Sequence, residues 1–174
     1  MSPAELKTAL IVIDPQNDYF PGGKFPLWNT ATVERNILAL IARCETAGLP
    51  VVFIRHVGKP ESPFFAEGSE GVAIRPEVLQ AAPNAAVVVK KYADGFDETK
   101  LKNTLDRLGV KKLWLCGMMT QNCVTHTALS PAATAYEITV VSDCCTTVNE
   151  MLHLIALSAL GRRVKTLPAG VLHT

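Results

Sequence analysis

The sequence lacks the features that would direct it to a membrane, a nucleic acid or an oxidising compartment. No apolar run approaches the length of a membrane span, and Met1–Lys7 lacks the basic and apolar regions of a secretory signal. The formal net charge is only +1, which gives no electrostatic case for binding nucleic acid or a lipid surface. We therefore expect no nucleic-acid partner, no membrane partner and a cytoplasmic location.

Cysteine is present, but not in the patterns of a disulfide framework or a metal site. The five cysteines are an odd number, and no two of them are spaced as Cys-x-x-Cys. This usage fits free thiols in a reducing compartment. Charged residues are also few, at 19%, whereas 48% of residues are hydrophobic. We interpret residues 1–174 as one ordinary globular domain, long enough to bury a substantial core.

What the sequence does contain is an alternation of strand-like and helical segments. The predicted strands are Ala9–Ile13, Pro50–Arg55, Ala86–Val89, Leu113–Cys116, Ile138–Ser142 and Val164–Leu167. The predicted helices are Thr30–Ala47, Asp97–Leu108, Gln121–Ala135 and Asn149–Leu160, with Pro131 expected to kink the third or to mark a shifted start. Such alternation predicts a parallel sheet with helices on both faces, whose ligands bind at the carboxyl ends of the strands.

Three chemically different side chains follow three of these strands. Asp14 follows the first, Lys90 the third, and Cys123 comes shortly after the fourth, at the predicted start of a helix. A helix N-terminus favours the thiolate form of a cysteine. Each residue also has a plainer interpretation: a turn aspartate, a solvated lysine and a small buried cysteine. Together, however, an acid, a cation and a thiol at one sheet edge could attack a carbonyl group.

Sequence motifs surround all three residues. Asp14 begins the run Asp-Pro-Gln-Asn-Asp-Tyr, and Lys90 is followed six residues later by Phe96. The segment Gly117–Val124 has the pattern Gly-x-x-Thr-x-x-Cys-Val. A late Asp-x-x-x-Thr and a histidine occur at Asp143, Thr147 and His153. With these motifs in this order, nearly the whole chain resembles the isochorismatase-like cysteine hydrolases, and the spacing to Phe96 selects Lys90 over Lys91.

The resemblance implies a fold and a set of roles. The fold is a three-layer α/β/α sandwich around a mostly parallel, six-stranded, Rossmann-like sheet in the order 3-2-1-4-5-6. Asp14 would act as acid and base, Lys90 would stabilise charge, and Cys123 would attack the substrate. The backbone N–H groups of Met119 and Cys123 would form the oxyanion hole, with a cis peptide bond between Met118 and Met119. Family members are usually homo-oligomers, so we expect a dimer or larger.

The resemblance also bears on metals and cofactors. Nicotinamidases of this family bind a divalent metal through an Asp-x-His element after the second strand. Here His56 is present at that place, but no aspartate occurs between Asp18 and Asp94. A histidine alone is a poor metal site, so we expect no metal and no cofactor. Position alone suggests Phe20, His56, Tyr92 and Phe96 as residues of the substrate pocket.

Three functions remain open from the sequence. The favoured one is metal-independent hydrolysis of a C–N bond in a small-molecule amide through a thioester on Cys123. The second is isochorismatase-type cleavage of a vinyl ether, with Asp14 as general acid and no need for a thiol nucleophile. The third is a non-catalytic member of the family. The presence of both Cys123 and Lys90 favours the first.

Overall fold

A buried strand, β1 (Thr8–Ile13), lies at the centre of the sheet in the computed structural model, which describes residues 7–173. Ala9–Ile13 are completely inaccessible to solvent, because helices or neighbouring segments cover both faces of the strand. This explains why the segment is a continuous apolar run rather than an alternating one. The expectation about a secretory signal falls on residues 1–6, which lie outside the described residues.

Five further strands flank β1. They are β2 (Val51–His56), β3 (Ala86–Lys90), β4 (Lys112–Met118), β5 (Glu137–Thr146) and β6 (Lys165–Leu167). The order is β3-β2-β1-β4-β5-β6, and all neighbouring pairs are parallel. The predicted α/β architecture and strand order are therefore confirmed. Because the direction of winding reverses between β1 and β4, a crevice is expected at their carboxyl ends.

Within residues 7–173, five α-helices and several short 3₁₀ turns lie between or after the strands. The helices are α1 (Thr30–Thr46), α2 (Pro76–Ala81), α3 (Leu101–Leu108), α4 (Thr125–Ala128) and α5 (Glu150–Leu160). The 3₁₀ turns are Asn17–Tyr19, Glu70–Val72, Pro131–Ala135 and Ala169–Val171. The long segment after β2 therefore contains a 3₁₀ turn and α2. No helix among the described residues is long and apolar enough to cross a membrane.

The helix predicted at Gln121–Ala135 is wrong as a single element. The chain there forms a π-helical turn at Thr120–Val124, then the four-residue α4, then the 3₁₀ turn. Proline lacks an N–H group and its ring clashes with the preceding helical turn, so Pro131 cannot continue α4. Ser130, directly before it, takes an extended ψ of 140°.

Two predicted boundaries also differ from the structure. Helix α3 begins at Leu101 rather than Asp97, because Thr99 Oγ1 accepts a hydrogen bond from the Leu101 N–H at 3.1 Å. Strand β5 continues past Ser142 to Thr146, because after a register shift in β4 the two strands resume pairing at Gly117 and Cys145. The buried apolar residues form one cluster that includes residues of all five strands from β1 to β5.

Candidate active site

Asp14 lies immediately after β1 at the crevice. It is completely buried and has a φ of +50°, a left-handed conformation that aspartate tolerates better than most residues. Its N–H donates to Ile54 O at 3.0 Å, and its own carbonyl accepts from the Gln16 N–H at 2.8 Å. These two bonds hold the turn that follows β1 against the end of β2.

Lys90 is the last residue of β3, and only 1% of its surface is exposed. Its Nζ lies 3.0 Å from Asp14 Oδ2 and 3.2 Å from Cys123 Sγ. It also lies 3.0 Å from His56 Nδ1 and donates to the Tyr92 carbonyl at 3.0 Å. Burial by itself lowers the pKa of Lys90, but the negative charge of Asp14 and the nearby sulfur outweigh burial and raise it. Lys90 is therefore a buried ammonium group.

Cys123 lies within the π-helical turn rather than at the start of a regular helix, and 3% of its surface is exposed. The N–H groups of Asn122 and Val124, on either side of it, both donate to Met119 O. Burial and the Asp14 charge raise the pKa of the Cys123 thiol to about 12, although Lys90 opposes them. The expected bias toward thiolate is thus wrong for the free site, where the thiol is protonated.

The Asp14 carboxylate is placed to receive that proton. Within the part of the chain that the structure describes, neither carboxylate oxygen accepts a hydrogen bond from an N–H or O–H donor of suitable geometry, apart from its ion pair with Lys90. The three side chains therefore form one buried unit of carboxylate, ammonium and thiol. This arrangement can transfer the thiol proton to Asp14 while Lys90 stabilises whichever group carries the negative charge.

The segment between β4 and Cys123 contains the residues assigned to the oxyanion hole. The peptide bond between Met118 and Met119 is cis. Among the described residues, the Met119 N–H donates to no backbone carbonyl, which leaves it available to a ligand. Thr120, the next residue, is fixed by a 2.9 Å hydrogen bond between its Oγ1 and His153 Nδ1, and its carbonyl accepts from Thr125 Oγ1 at 2.6 Å.

The three residues of the late motif make three separate structural contacts. His153, in α5, contacts Thr120 as described, so it supports the segment before the nucleophile. Asp143 lies within β5, and its Oδ1 accepts a hydrogen bond from the Ala169 N–H at 2.8 Å. Thr147 is buried directly after β5, and its carbonyl accepts from the Trp28 N–H. The Asp143 contact is with the chain beyond β6, whereas the triad lies at the ends of β1, β3 and β4.

The four candidate pocket residues are placed very differently. His56 contacts Lys90 with its side chain, whereas Tyr92 contacts it through its carbonyl and leaves 48% of its surface exposed. Phe20 is buried under the Arg75 guanidinium, 4.8 Å from the ring centroid. Phe96 stacks on Tyr136 at 6.1 Å. Of these four side chains, His56 is the one that the structure brings to the triad.

Four aromatic rings form a second group, consisting of Tyr19, Phe25, Phe64 and Phe65, of which Phe65 lies 6.0 Å from the His56 ring. Tyr19 packs edge-on against Phe65 at 4.5 Å, and Phe25 stacks on Phe64 at 5.0 Å. Burial raises the pKa of Tyr19, and the charges of Asp14 and Cys123 raise it further. Tyr19 was visible in the sequence as the aromatic residue that ends the first motif.

Gln16 is the residue whose contribution the sequence did not reveal. It is completely buried, its Nε2 donates to His56 O and Val72 O at 2.8 Å each, and its Oε1 accepts from the His56 N–H at 2.8 Å. Its position in the first motif was the available signal. Gln16 joins the turn after β1 to the end of β2.

One combination of side chains has the chemistry of a metal site. Donor atoms of Asp14, His56 and Cys123 lie within 4.8 Å of one another. Each of the three, however, also lies 3.0 to 3.2 Å from Lys90 Nζ. A divalent cation at their centre would have to displace or closely approach a buried ammonium group, which charge repulsion opposes. The residues present do not fit a metal ion.

Comparison with known sequences shows which proteins this chain resembles. A family model for the isochorismatase domain matches residues 8–167. The uncharacterised isochorismatase family protein YddQ of Bacillus subtilis is 37% identical over 145 residues, which cover 83% of this chain and 80% of that protein. Nicotinamidase 3 of Arabidopsis thaliana is 30% identical over 165 residues, which cover 87% of this chain and 79% of that enzyme.

Comparison with solved structures gives a matching result. A putative isochorismatase hydrolase from Oleispira antarctica superimposes with a TM-score of 0.89. The two chains are 35% identical, and the match covers 98% of this chain and 97% of the other. The similarity thus extends over every element that positions the triad.

Proposed function

Because the chain belongs to the isochorismatase family of hydrolases, we propose that it hydrolyses the C–N bond of a small-molecule amide through a thioester on Cys123. The observation that carries this proposal is the position of Lys90 Nζ, 3.0 Å from Asp14 Oδ2 and 3.2 Å from Cys123 Sγ, with all three groups buried. A thiol, a proton acceptor and a fixed positive charge are the parts that nucleophilic catalysis by cysteine needs.

The first half of the reaction forms the thioester. Cys123 Sγ attacks the amide carbonyl carbon as its proton moves to Asp14, and the carbonyl oxygen becomes an oxyanion. The N–H groups of Met119 and Cys123 are the proposed donors to that oxyanion. The C–N bond then breaks, and the departing amine takes the proton from Asp14. Because the free thiol has a pKa of about 12, proton transfer accompanies the attack and does not precede it.

The second half releases the acid. A water molecule attacks the thioester carbonyl as Asp14 accepts one of its protons. The C–S bond then breaks, and the sulfur takes the proton back from Asp14 while the carboxylic acid leaves. Lys90 remains protonated throughout, so it acts as a fixed charge and not as an acid. No step requires a metal or a cofactor.

The proposal includes a cellular compartment and a class of substrate. All five cysteines are free and buried, which supports a reducing compartment such as the cytoplasm. The substrate is expected to be a small amide, because Cys123 is buried and the Phe65 ring lies 6.0 Å from the ring of His56, which contacts Lys90. The name of the Arabidopsis relative supports an amide substrate in general terms.

The test is a panel of small carboxamides assayed with and without a metal chelator. We expect Cys123→Ala to lower turnover at least about a thousandfold, and brief incubation of the intact enzyme to give an acyl adduct on Cys123 by mass spectrometry. Turnover should be unaffected by the chelator. Cys44→Ala is the matched control, because Cys44 lies in α1, away from the triad.

The same variants separate amide hydrolysis from vinyl-ether cleavage. Asp14→Asn should abolish either reaction, because amide hydrolysis needs its carboxylate to accept the thiol proton and vinyl-ether cleavage needs it as the general acid. Only amide hydrolysis needs the thiol, so a vinyl ether cleaved equally well by Cys123→Ala and by the unaltered protein would decide for the ether reaction. Inactivity toward both classes of substrate would favour a non-catalytic role.

A further inference from the structure

His56 and Lys90 are forced together by the register of the sheet. They are partners in the parallel pairing of β2 with β3, and the Val57 N–H donates to Lys90 O at 3.0 Å. Paired residues on neighbouring strands place their side chains on the same face. The imidazole of His56 therefore lies beside the Lys90 side chain as a direct consequence of the fold.

The contact between the two side chains fixes the protonation of the histidine. An ammonium group has three N–H bonds and no acceptor, so at 3.0 Å His56 Nδ1 must be an unprotonated acceptor and the ring proton must be on Nε2. Burial lowers the pKa of His56 and the charge of Lys90 lowers it further, with Asp14 acting in the opposite direction. His56 is thus a neutral acceptor beside the charge that the reaction uses.

Gln16 fixes the backbone of that histidine. Its side-chain amide makes two hydrogen bonds with the peptide groups of His56, one in each direction, and a third with Val72 O, each 2.8 Å long. Gln16 is itself two residues after Asp14 and completely buried. The turn that holds the acid therefore also holds the residue that orients the ammonium group.

We propose that His56 is a positioning residue of this active site, which acts by fixing the Lys90 ammonium group between Asp14 and Cys123. This inference rests on the proposed function. Four acceptors surround the three N–H bonds of Lys90, so without Nδ1 every N–H keeps a partner, but the contact that holds the ammonium group on the side of β2 is lost and the group can shift away from the sulfur. Cys123 then loses part of the positive charge that opposes the effects of burial and Asp14 on its pKa.

The proposal makes the site sensitive to acid. The charged or titratable groups that face His56 are Lys90, Asp14 and Cys123, and its other close neighbour is the Phe65 ring, 6.0 Å away. Protonated His56 could not accept from Lys90 and would place a second positive charge beside it. The contact with Lys90 is therefore lost as the pH drops through the pKa of His56, which lies below its ordinary value, while the positive charge gained on His56 itself favours the thiolate of Cys123.

Two substitutions of His56 test the role of Nδ1. Asparagine places its Oδ1 close to where Nδ1 lies, so His56→Asn keeps an acceptor but cannot titrate. His56→Leu fills similar volume without an acceptor. The readout is the rate of Cys123 alkylation by iodoacetamide at pH 8, followed by peptide mass spectrometry. This rate reports on the thiolate and needs no substrate, so it can fail or succeed independently of the hydrolysis assay.

We expect His56→Leu to be alkylated about tenfold more slowly than the unaltered protein, which corresponds to a rise of about one unit in the thiol pKa. His56→Asn should stay within about threefold of the unaltered protein. His173→Asn, at an exposed position near the C-terminus, is the control. Equal rates in all variants, or equal losses in His56→Leu and His56→Asn, would overturn the proposal.

A second measurement tests the contact between His56 and Lys90 in the intact protein, so that it does not depend on whether His56→Leu folds. In ¹⁵N-histidine NMR spectra of the intact protein, the signals absent from His56→Asn identify His56. We expect them to show the tautomer with the proton on Nε2, and we expect this preference to weaken in Lys90→Met. A His56 ring protonated on Nδ1 in the intact protein would contradict the proposed contact directly.

Discussion

At the scale of single residues, the site holds the sulfur of Cys123 as a protonated thiol, which is its unreactive form. Burial and the neighbouring carboxylate keep Cys123 protonated, while Lys90 partly offsets them. A low thiol pKa would give more thiolate, but a thiolate of lower pKa is also a weaker nucleophile. In the proposed reaction the proton stays on the sulfur until a carbonyl group arrives, and Asp14 then takes it.

This balance predicts how Cys123 reacts in the absence of substrate. Far below its pKa, the thiolate fraction of a thiol rises about tenfold per pH unit. Because the pKa of Cys123 is about 12, the rate of its alkylation by iodoacetamide should still be rising at pH 10. The measurement is a series of alkylation rates from pH 7 to pH 10, with free cysteine as the reference. A plateau of the alkylation rate below pH 8 would mean that the positive charge of Lys90 outweighs burial and Asp14 in setting the pKa of the Cys123 thiol.

The sequence was informative about single residues only where a motif marked them. Asp14, Lys90 and Cys123 are each the fixed point of a spaced pattern, and the structure places the three together. The link between Gln16, His56 and Lys90 was not predictable in the same way. It depends on which residues of β2 and β3 are partners, and strand register is set by tertiary packing.

At the scale of elements, the close approach of β1 and β4 is what brings Asp14 and Cys123 to one crevice. Ile13 and Gly117 are partners at the ends of these strands, and Gly117 has a φ of +115°. A side chain at Gly117 would overlap the backbone carbonyl of Ile13. Glycine is required at this position for both reasons.

Replacing Gly117 should therefore damage both stability and activity. We expect Gly117→Ala to lower the free energy of unfolding by about 2 kcal/mol or more, because the backbone conformation is strained for alanine and β1 must move away. The measurement is urea denaturation followed by circular dichroism. Gly48→Ala is the control, because Gly48 also has a positive φ, of 68°, but a side chain there meets no neighbouring atom. A similar, small loss in both variants would show that the contact with Ile13 is unimportant.

The elements also show where periodicity stops being informative. A helical pattern through Gln121–Ala135 is compatible with the sequence, yet Pro131 ends α4 and the chain continues as a 3₁₀ turn. The Cys123 thiol lies in a π-helical turn, and the spacing of apolar residues does not predict this local conformation. Strand β5 was predicted too short because its last residues are Asp, Cys, Cys and Thr rather than an apolar run.

At the scale of the whole molecule, alternation of strands and helices was sufficient to predict an α/β fold, and the motifs supplied the strand order. The part that remains a prediction is assembly. Helix α5 carries three large apolar residues that are mostly exposed: Met151, Leu154 and Ile155, with 73%, 57% and 60% of their surfaces accessible to solvent. Apolar side chains grouped in this way often mark contact surfaces.

We therefore expect the protein to associate with itself. Sedimentation at micromolar concentration should give a dimer or a larger species, as an integral multiple of the 18.8 kDa chain. The measurement should be repeated at high salt, since association driven by apolar contacts should persist there. A species of 18.8 kDa under both conditions would contradict this expectation.

The central position of Lys90 has a consequence for the energy of the whole reaction cycle. Its ammonium group and the Asp14 carboxylate are neutral in sum beside a protonated thiol. Once the proton has moved to Asp14, the same ammonium group balances an oxyanion, and the sum is again zero. In the proposed reaction the buried crevice therefore keeps the same net charge throughout turnover, so no step has to bring a counter-ion from solvent. An enzyme built in this way can close over a neutral substrate without changing the net charge that it buries.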